Sequence, residues 1–252
     1  MTHRFTGKVT LVTGGSRGIG RGIARAFAAE GATVVVTGRD QETLTETVKL
    51  IEAEDGRASA IAADLTRADD VARLVETAVA RHGRLDVAIN NAGVFAGGPV
   101  ADLSETAWSD LLAVNLTGVW LSMKYEIGHM LSNGEGAIVN IASTIGAHVT
   151  YPGTGPYAAS KAAVSALTRA AAQDYIGYGI RINAVSPGPS DTPMSFRPGE
   201  NSADRAARLK TQLPIGRVGS IEEIAAAVLW LASEEAGFVV GHDLVVDGGA
   251  AA

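Results

Sequence analysis

Leu11-Val12-Thr13-Gly14-Gly15-Ser16-Arg17-Gly18-Ile19-Gly20 passes from a β-branched run into a glycine-rich turn and on into residues spaced as a helix. Residues 9–12 read as a short strand, while Ile19, Ile23 and Phe27 recur four apart on one helix face. The glycines between them let the backbone turn tightly and approach a pyrophosphate, whose charge the free N–H groups and the helix dipole favour. A close strand–helix packing site would use glycine in the same way. The spacing is G-x-x-x-G-x-G over Gly14, Gly18 and Gly20, different from the general G-x-G-x-x-G dinucleotide fingerprint.

Working outward, six more short β-branched runs follow, at 33–37, 58–62, 87–89, 137–141, 180–185 and 244–246. Most lack polar alternation, which suits strands covered on both faces of a parallel sheet. Helical spacing separates them, as in Val71, Leu74, Val75, Ala78 and Val79. This alternation predicts βαβ units with right-handed crossovers, and hence an α/β, doubly wound parallel sheet of about seven strands with helices on both faces. With no linker or repeat in sight, one domain over 1–252 is expected. The rhythm lapses only at 186–213, where Pro187, Pro189, Pro193 and Pro198 gather with Pro214 just beyond; 189–213 reads as an irregular substrate-loop insertion.

Composition narrows the chemistry. The 252 residues contain no Cys, so disulfides, thiolate metal sites and a cysteine nucleophile are excluded. His3, His82, His129, His148 and His242 never fall at metal-ligand spacing, and no metal is expected. A formal charge of −6 without a Lys/Arg run argues against nucleic acid. The most apolar stretch, 224–232, is too short for a membrane span, and a cytoplasmic protein acting on small molecules is the expectation.

At the end of the second run, Val36-Thr37-Gly38-Arg39-Asp40 has Gly38 where an acid would bind the ribose hydroxyls of NAD. Arg39, together with Arg17 in the glycine turn, can instead pair with a 2′-phosphate, which favours NADP while leaving NAD possible. Further on, Tyr157-Ala158-Ala159-Ser160-Lys161 sets a phenol and an ammonium four apart on one helix face. A fixed cation stabilises phenolate, so such a pair can move a proton.

Taken in order, Thr13 to Gly20, Asn90-Asn91-Ala92-Gly93, Asn115, Ser143, Tyr157 with Lys161, and Pro187-Gly188 resemble the short-chain dehydrogenase/reductases over residues 7–249. The resemblance implies a Rossmann-like fold and hydride transfer between NADP and a small carbonyl or alcohol. It implies Tyr157 as general acid/base, Lys161 lowering the phenol pKa and bonding the nicotinamide ribose, Ser143 holding the substrate oxygen, and Asn115 holding a water behind Lys161. Cofactor contacts would come from Gly14, Ser16, Arg17, Gly18, Ile19, Gly20, Arg39, Asp64, Leu65, Asn91, Ala92, Gly93, Tyr157, Lys161, Pro187, Gly188 and Thr192. Ser190 stands where an aliphatic residue is usual, and His242 where Gln is often seen.

The Ser143–Tyr157 interval is longer than the family's usual one, which makes His148, Tyr151 and Thr154 candidate substrate contacts or plain loop residues. Met194, Phe196 and Leu209 read as apolar walls, with Arg197, Glu200 and Asn201 as polar options and residues 94–98 opposite. No basic patch precedes the fifth or sixth strand, which disfavours the alternative of a 3-oxoacyl-[acyl-carrier-protein] reductase. A non-catalytic dinucleotide sensor is the other alternative, disfavoured by the full catalytic set. The alanine-rich helix after Tyr157 allows close helix approach, and the resemblance implies a homotetramer.

Overall fold

The computed structural model describes residues 3–197 and 199–252; Met1, Thr2 and Pro198 of the proline cluster lie outside the described residues. Seven strands form one parallel sheet in the order β3-β2-β1-β4-β5-β6-β7. They are β1 (Val9–Thr13), β2 (Thr33–Gly38), β3 (Arg57–Ala62), β4 (Val87–Asn90), β5 (Gly136–Ile141), β6 (Ile180–Pro187) and β7 (Asp243–Val246). All seven expected strands are present, each extended at one end, β6 by two residues and the others by one.

Alternate residues of each strand feed two separate cores. Val12, Val34 and Val36 face α1 (Gly18–Ala29), α2 (Gln41–Glu52) and α9 (Ile221–Ala232). Leu11 and Val35 face α3 (Ala68–His82), α5 (Gly118–Asn133) and α7 (Gly155–Tyr175). Burial on both faces is the reason these strands read as unbroken apolar runs.

Two shorter helices, α4 (Glu105–Leu112) and α6 (Thr144–Ala147), flank the loops after β4 and β5. Between α4 and α5, Ala113–Thr117 is wound as a π-helical turn. The segment expected to be irregular is corrected here. It contains α8 (Ser202–Gln212), whose first N–H groups, on Ala203 and Asp204, are accepted by the Asn201 side chain. Proline density marks the approach to this helix, and α8 itself, with Ala203, Ala206 and Ala207, has good helix formers.

The sheet positions the site through its order. Leu11 of β1 pairs with Val35 on one side and Ala88 of β4 on the other, so the chain winds away from β1 in both directions. The loops leaving β1 and β4 part there, opening a crevice beyond the carboxyl ends of the strands.

Candidate active site

The glycine turn is fixed by close approach. A side chain on Gly20 would begin 2.2 Å from the Gly14 carbonyl oxygen, and one on Gly14, at φ +63°, would meet Ala92 Cα at 2.9 Å. Thr13, at the last position of β1, joins this turn to the one after β4: its hydroxyl accepts Asn91 N–H at 2.9 Å and Ala92 N–H at 3.1 Å. The Asn91 side chain returns a bond to the Thr13 carbonyl at 3.0 Å. Sequence reasoning counted Thr13 in the motif but assigned it no role; its position at the strand end beside Gly14 was the available signal.

Helix α1 starts with no side-chain cap and no acidic residue in its first turn. By contrast α2, α4, α8 and α9 are capped by Asp40, Ser104, Asn201 and Ser220. Free N–H groups and the positive helix end therefore face the crevice at the glycine turn. Arg17 and Arg39 are exposed there and make no ion pair among the described residues. Arg21, one turn further, is already held by Ser16, Thr47 and Glu46. Arg39 acts electrostatically on Asp64, whose carboxyl is held below its usual range chiefly by bonds from Thr66 and to a lesser degree by Arg39. Leu65 beside it is buried. Thr192 reaches over the turn, its methyl 3.6 Å from where a Gly18 side chain would begin.

The proton-handling residues meet at the ends of β4 and β5. Tyr157 and Lys161 lie one turn apart on α7, both nearly buried, and Lys161 Nζ donates to the Ile141 carbonyl at 2.7 Å. Ser143 is the N-cap of α6, accepting Ile145 N–H at 3.1 Å, and its hydroxyl also acts on the Tyr157 phenol. The cap fixes the direction of the hydroxyl. Asn115 sits in the π-helical turn. Its Oδ1 accepts Val94 N–H at 2.8 Å, and its Nδ2 donates to Val94 O at 2.9 Å and Ser160 Oγ at 3.1 Å.

Burial raises the Tyr157 phenol pKa, partly offset by Ser143. The lysine is itself desolvated, down to about 8. The Asn115 side chain is committed to Val94 and Ser160, leaving one lone pair of Oδ1, and it holds the strand-end loop.

Around this centre the loop candidates separate. His148 is drawn away to Asp243 of β7 at 3.1 Å. Thr154 closes the turn of Tyr151, accepting its N–H and donating to its carbonyl, while the Tyr151 ring is half exposed. Phe196 lies under the Arg205 guanidinium at 4.0 Å, and Leu209 is buried, so of the three expected walls only Met194 is open. Asn201 caps α8, and Glu200 pairs with Arg208 at 2.6 Å. Phe95 packs against the catalytic-helix tyrosine, ring centres 5.1 Å apart. Gly188 lies against Asp247, and Ser190 bridges to Gly219 while its hydroxyl donates to the Gly188 carbonyl at 3.0 Å. His242 is exposed. Among the described residues no cluster of three or more His, Asp or Glu could hold a metal ion, and no helix is long and apolar enough to cross a membrane.

Comparison with known proteins places this geometry among nicotinamide enzymes. Residues 14–251 match the family model described as enoyl-(acyl carrier protein) reductase. The chain is 41% identical to 3beta-hydroxysteroid dehydrogenase 1 of Eggerthella lenta, covering 99% of this chain and 95% of that one. It is 42% identical to cis-4-hydroxycyclohexanecarboxylate dehydrogenase of Sinomonas cyclohexanicum, covering 99% and 98%. A gluconate 5-dehydrogenase from Burkholderia cenocepacia, crystallised with NADP and tartrate, superposes with a TM-score of 0.92 at 33% identity, covering 99% and 97%.

The Lys161 shift has a measurable sign. Over pH 8 to 10.5 the unfolded chain holds a proton that the folded lysine has lost, so stability rises with pH. Urea unfolding of the nucleotide-free protein should show wild type gaining on Lys161→Met across that window and running parallel to it below about pH 8.

Proposed function

The chain belongs to the short-chain dehydrogenase/reductase family, NAD(P)-dependent oxidoreductases of alcohols and carbonyls, and from that premise we propose an NADP-preferring enzyme for small, unconjugated substrates. The observation that carries this reading is the buried Ser143–Tyr157–Lys161 centre opening onto a crevice fitted to an anionic dinucleotide.

The residues present fit that cofactor. Gly14, Ser16, Arg17, Gly18, Ile19 and Gly20 would take the pyrophosphate at the uncapped start of α1. Arg17 and Arg39, exposed and in no ion pair among the described residues, suit a 2′-phosphate, and β2 ends without the acid that NAD would use. Asp64 and Leu65 would border the adenine, Asn91, Ala92 and Gly93 the adjoining ribose, and Pro187, Gly188 and Thr192 the nicotinamide. The bound cofactor supplies or accepts the hydride.

The protein's part is the proton. In reduction Tyr157 donates its phenolic proton to the carbonyl oxygen as hydride reaches the carbon; in oxidation it takes the alcohol proton. Ser143 donates a hydrogen bond to the same oxygen, where negative charge develops. Lys161, lowered to about 8, still carries its proton at neutral pH and can pass one to the phenol once the nicotinamide ribose hydroxyls join them, and Asn115 keeps the Val94 loop in place beside both.

Substrate character follows from the walls. Phe95 flanks the phenol, Val94, Tyr151 and Met194 are exposed, and the arginines of the α8 segment are matched by Asp191 and Glu200. An uncharged, apolar body near the reacting carbon suits these surroundings. A carrier-protein substrate is disfavoured by the acidic or neutral residues ahead of β5 and β6. We further propose one domain with 189–213 as its substrate segment, a cytoplasmic site of action where soluble nicotinamide nucleotides are plentiful, and a homotetramer assembled through the small-residue face of α7.

Tyr157→Phe should cut turnover on cyclic ketones by about 10²–10⁴-fold while NADPH still binds, read by nicotinamide absorbance and fluorescence; undiminished turnover would falsify the mechanism. Arg39→Asp should weaken NADPH by about 1.5–3 kcal/mol and shift preference to NADH. Equal binding of both nucleotides by wild type would remove the basis of that preference. Light scattering on purified protein should give four chain masses, and a monomer would exclude the assembly.

A further inference from the structure

Behind the proposed centre lies a buried polar chain that the chemistry above does not use. Glu126 of α5 is fully buried between the sheet and its helices. Asn90 Nδ2 donates to Glu126 Oε2 at 3.0 Å and to Asn140 Oδ1 at 3.0 Å; Asn140 Nδ2 donates to Thr168 Oγ1 at 2.9 Å and approaches Met123 Sδ at 3.2 Å; Thr168 Oγ1 donates to the Val164 carbonyl at 2.8 Å. Three atoms beside these bonds have no partner: Glu126 Oε1, Asn90 Oδ1 and Ser122 Oγ.

Hydrogen-bond arithmetic decides the state of the acid. Both N–H groups of each amide are committed, so an ionised Glu126 would leave Oε1 and Asn90 Oδ1 as buried acceptors with no donor from either amide. A proton on Oε1 supplies one. No cation answers a negative charge there either: Glu126 forms no ion pair among the described residues, and the groups facing it, Asn90 from β4, Asn140 from β5, Thr168 from α7 and Ser122 on its own helix, are none of them charged. No ionisable group of α3, α7 or β6 acts on its carboxyl. An unpaired buried carboxylate is heavily penalised.

We propose that Glu126 works as a neutral carboxylic acid and is the positioning residue that holds three site-bearing segments in register. Asn90 immediately precedes the Asn91-Ala92-Gly93 turn. Asn140 immediately precedes Ile141, whose carbonyl receives Lys161, and lies three residues before Ser143. Thr168 lies two turns along α7 from Lys161. Removing the acid frees an Asn90 N–H in the core and loosens the strand ends on which cofactor and phenol depend. Burial, which lifts the carboxyl to about 8, agrees with the hydrogen-bond count. The proposal rests on the family reading only for its effect on nucleotide binding.

Glu126→Gln and Glu126→Leu test it in the full-length protein. Glutamine keeps the neutral acid's carbonyl acceptor and replaces its hydroxyl donor by an amide with two N–H groups, and should bind NADPH within about twofold of wild type, whereas leucine should weaken it about tenfold. Between pH 4.5 and about 8 the unfolded chain releases the Glu126 proton while the fold keeps it, so wild type loses stability that the glutamine variant does not. The difference in Tm, glutamine minus wild type, should therefore climb across that window and level off above it; Lys161 and Tyr157 titrate identically in both and cancel. A flat difference, NADPH binding by the leucine variant equal to wild type, or loss of binding by glutamine equal to that by leucine would each overturn the proposal. If leucine fails to fold, the glutamine series alone decides. Failure of wild type to bind NADPH would instead count against the family reading, leaving the Tm comparison to judge Glu126.

Discussion

Burial of the sheet on both faces is the constraint from which the rest of this molecule follows. Once Val12, Val34 and Val36 are committed to one core and Leu11 and Val35 to the other, every crossover must be a helix and every strand must run the same way. Parallel strands bring their carboxyl ends to one edge. Residues as distant in the chain as Gly14, Asn91, Ser143 and Pro187 are gathered there, and the reversal of winding between β1 and β4 leaves a gap between the loops that follow them.

Within that gap the polar groups are organised by backbone more than by charge. Lys161 reaches the Ile141 carbonyl, Asn115 grips both backbone groups of Val94, Thr13 receives two N–H groups of the neighbouring turn, and Ser143 caps a short helix. Each of these side chains is thereby held by the protein's own backbone. The groups so placed are a hydroxyl, a phenol and an amine, those of Ser143, Tyr157 and Lys161.

Much of the fold was legible because its signals are local. Apolar runs of strand length, helix-period residues such as Val71 to Val79 and the glycine turn each report on themselves. The four proposed catalytic residues came from the resemblance to the family, whose motifs stand in this chain in order. What escaped were consequences of packing between distant segments. Nothing in the chain around residue 148 announces that His148 turns toward Asp243, ninety-five positions away. Prolines before residue 200 suggested an irregular stretch and concealed α8, whose cap, Asn201, looked like a substrate contact. Helical spacing shows that Lys161 and Tyr157 are neighbours, but the burial that raises the phenol pKa and lowers that of the lysine belongs to the tertiary structure.

The bare start of α1 has a meaning for the protein's life as well as its chemistry. A helix whose first turn is completed by a diffusible anion is finished only when that anion is present, so the nucleotide joins the folding equilibrium as well as the reaction. At a hundredfold excess over its dissociation constant such a ligand adds about 2.7 kcal/mol to the folded state, a sizeable share of what a single domain usually possesses. Chains made when the nucleotide is scarce would be the ones most open to proteases. On the proposed function, the supply of nucleotide would set the amount of enzyme present to use it.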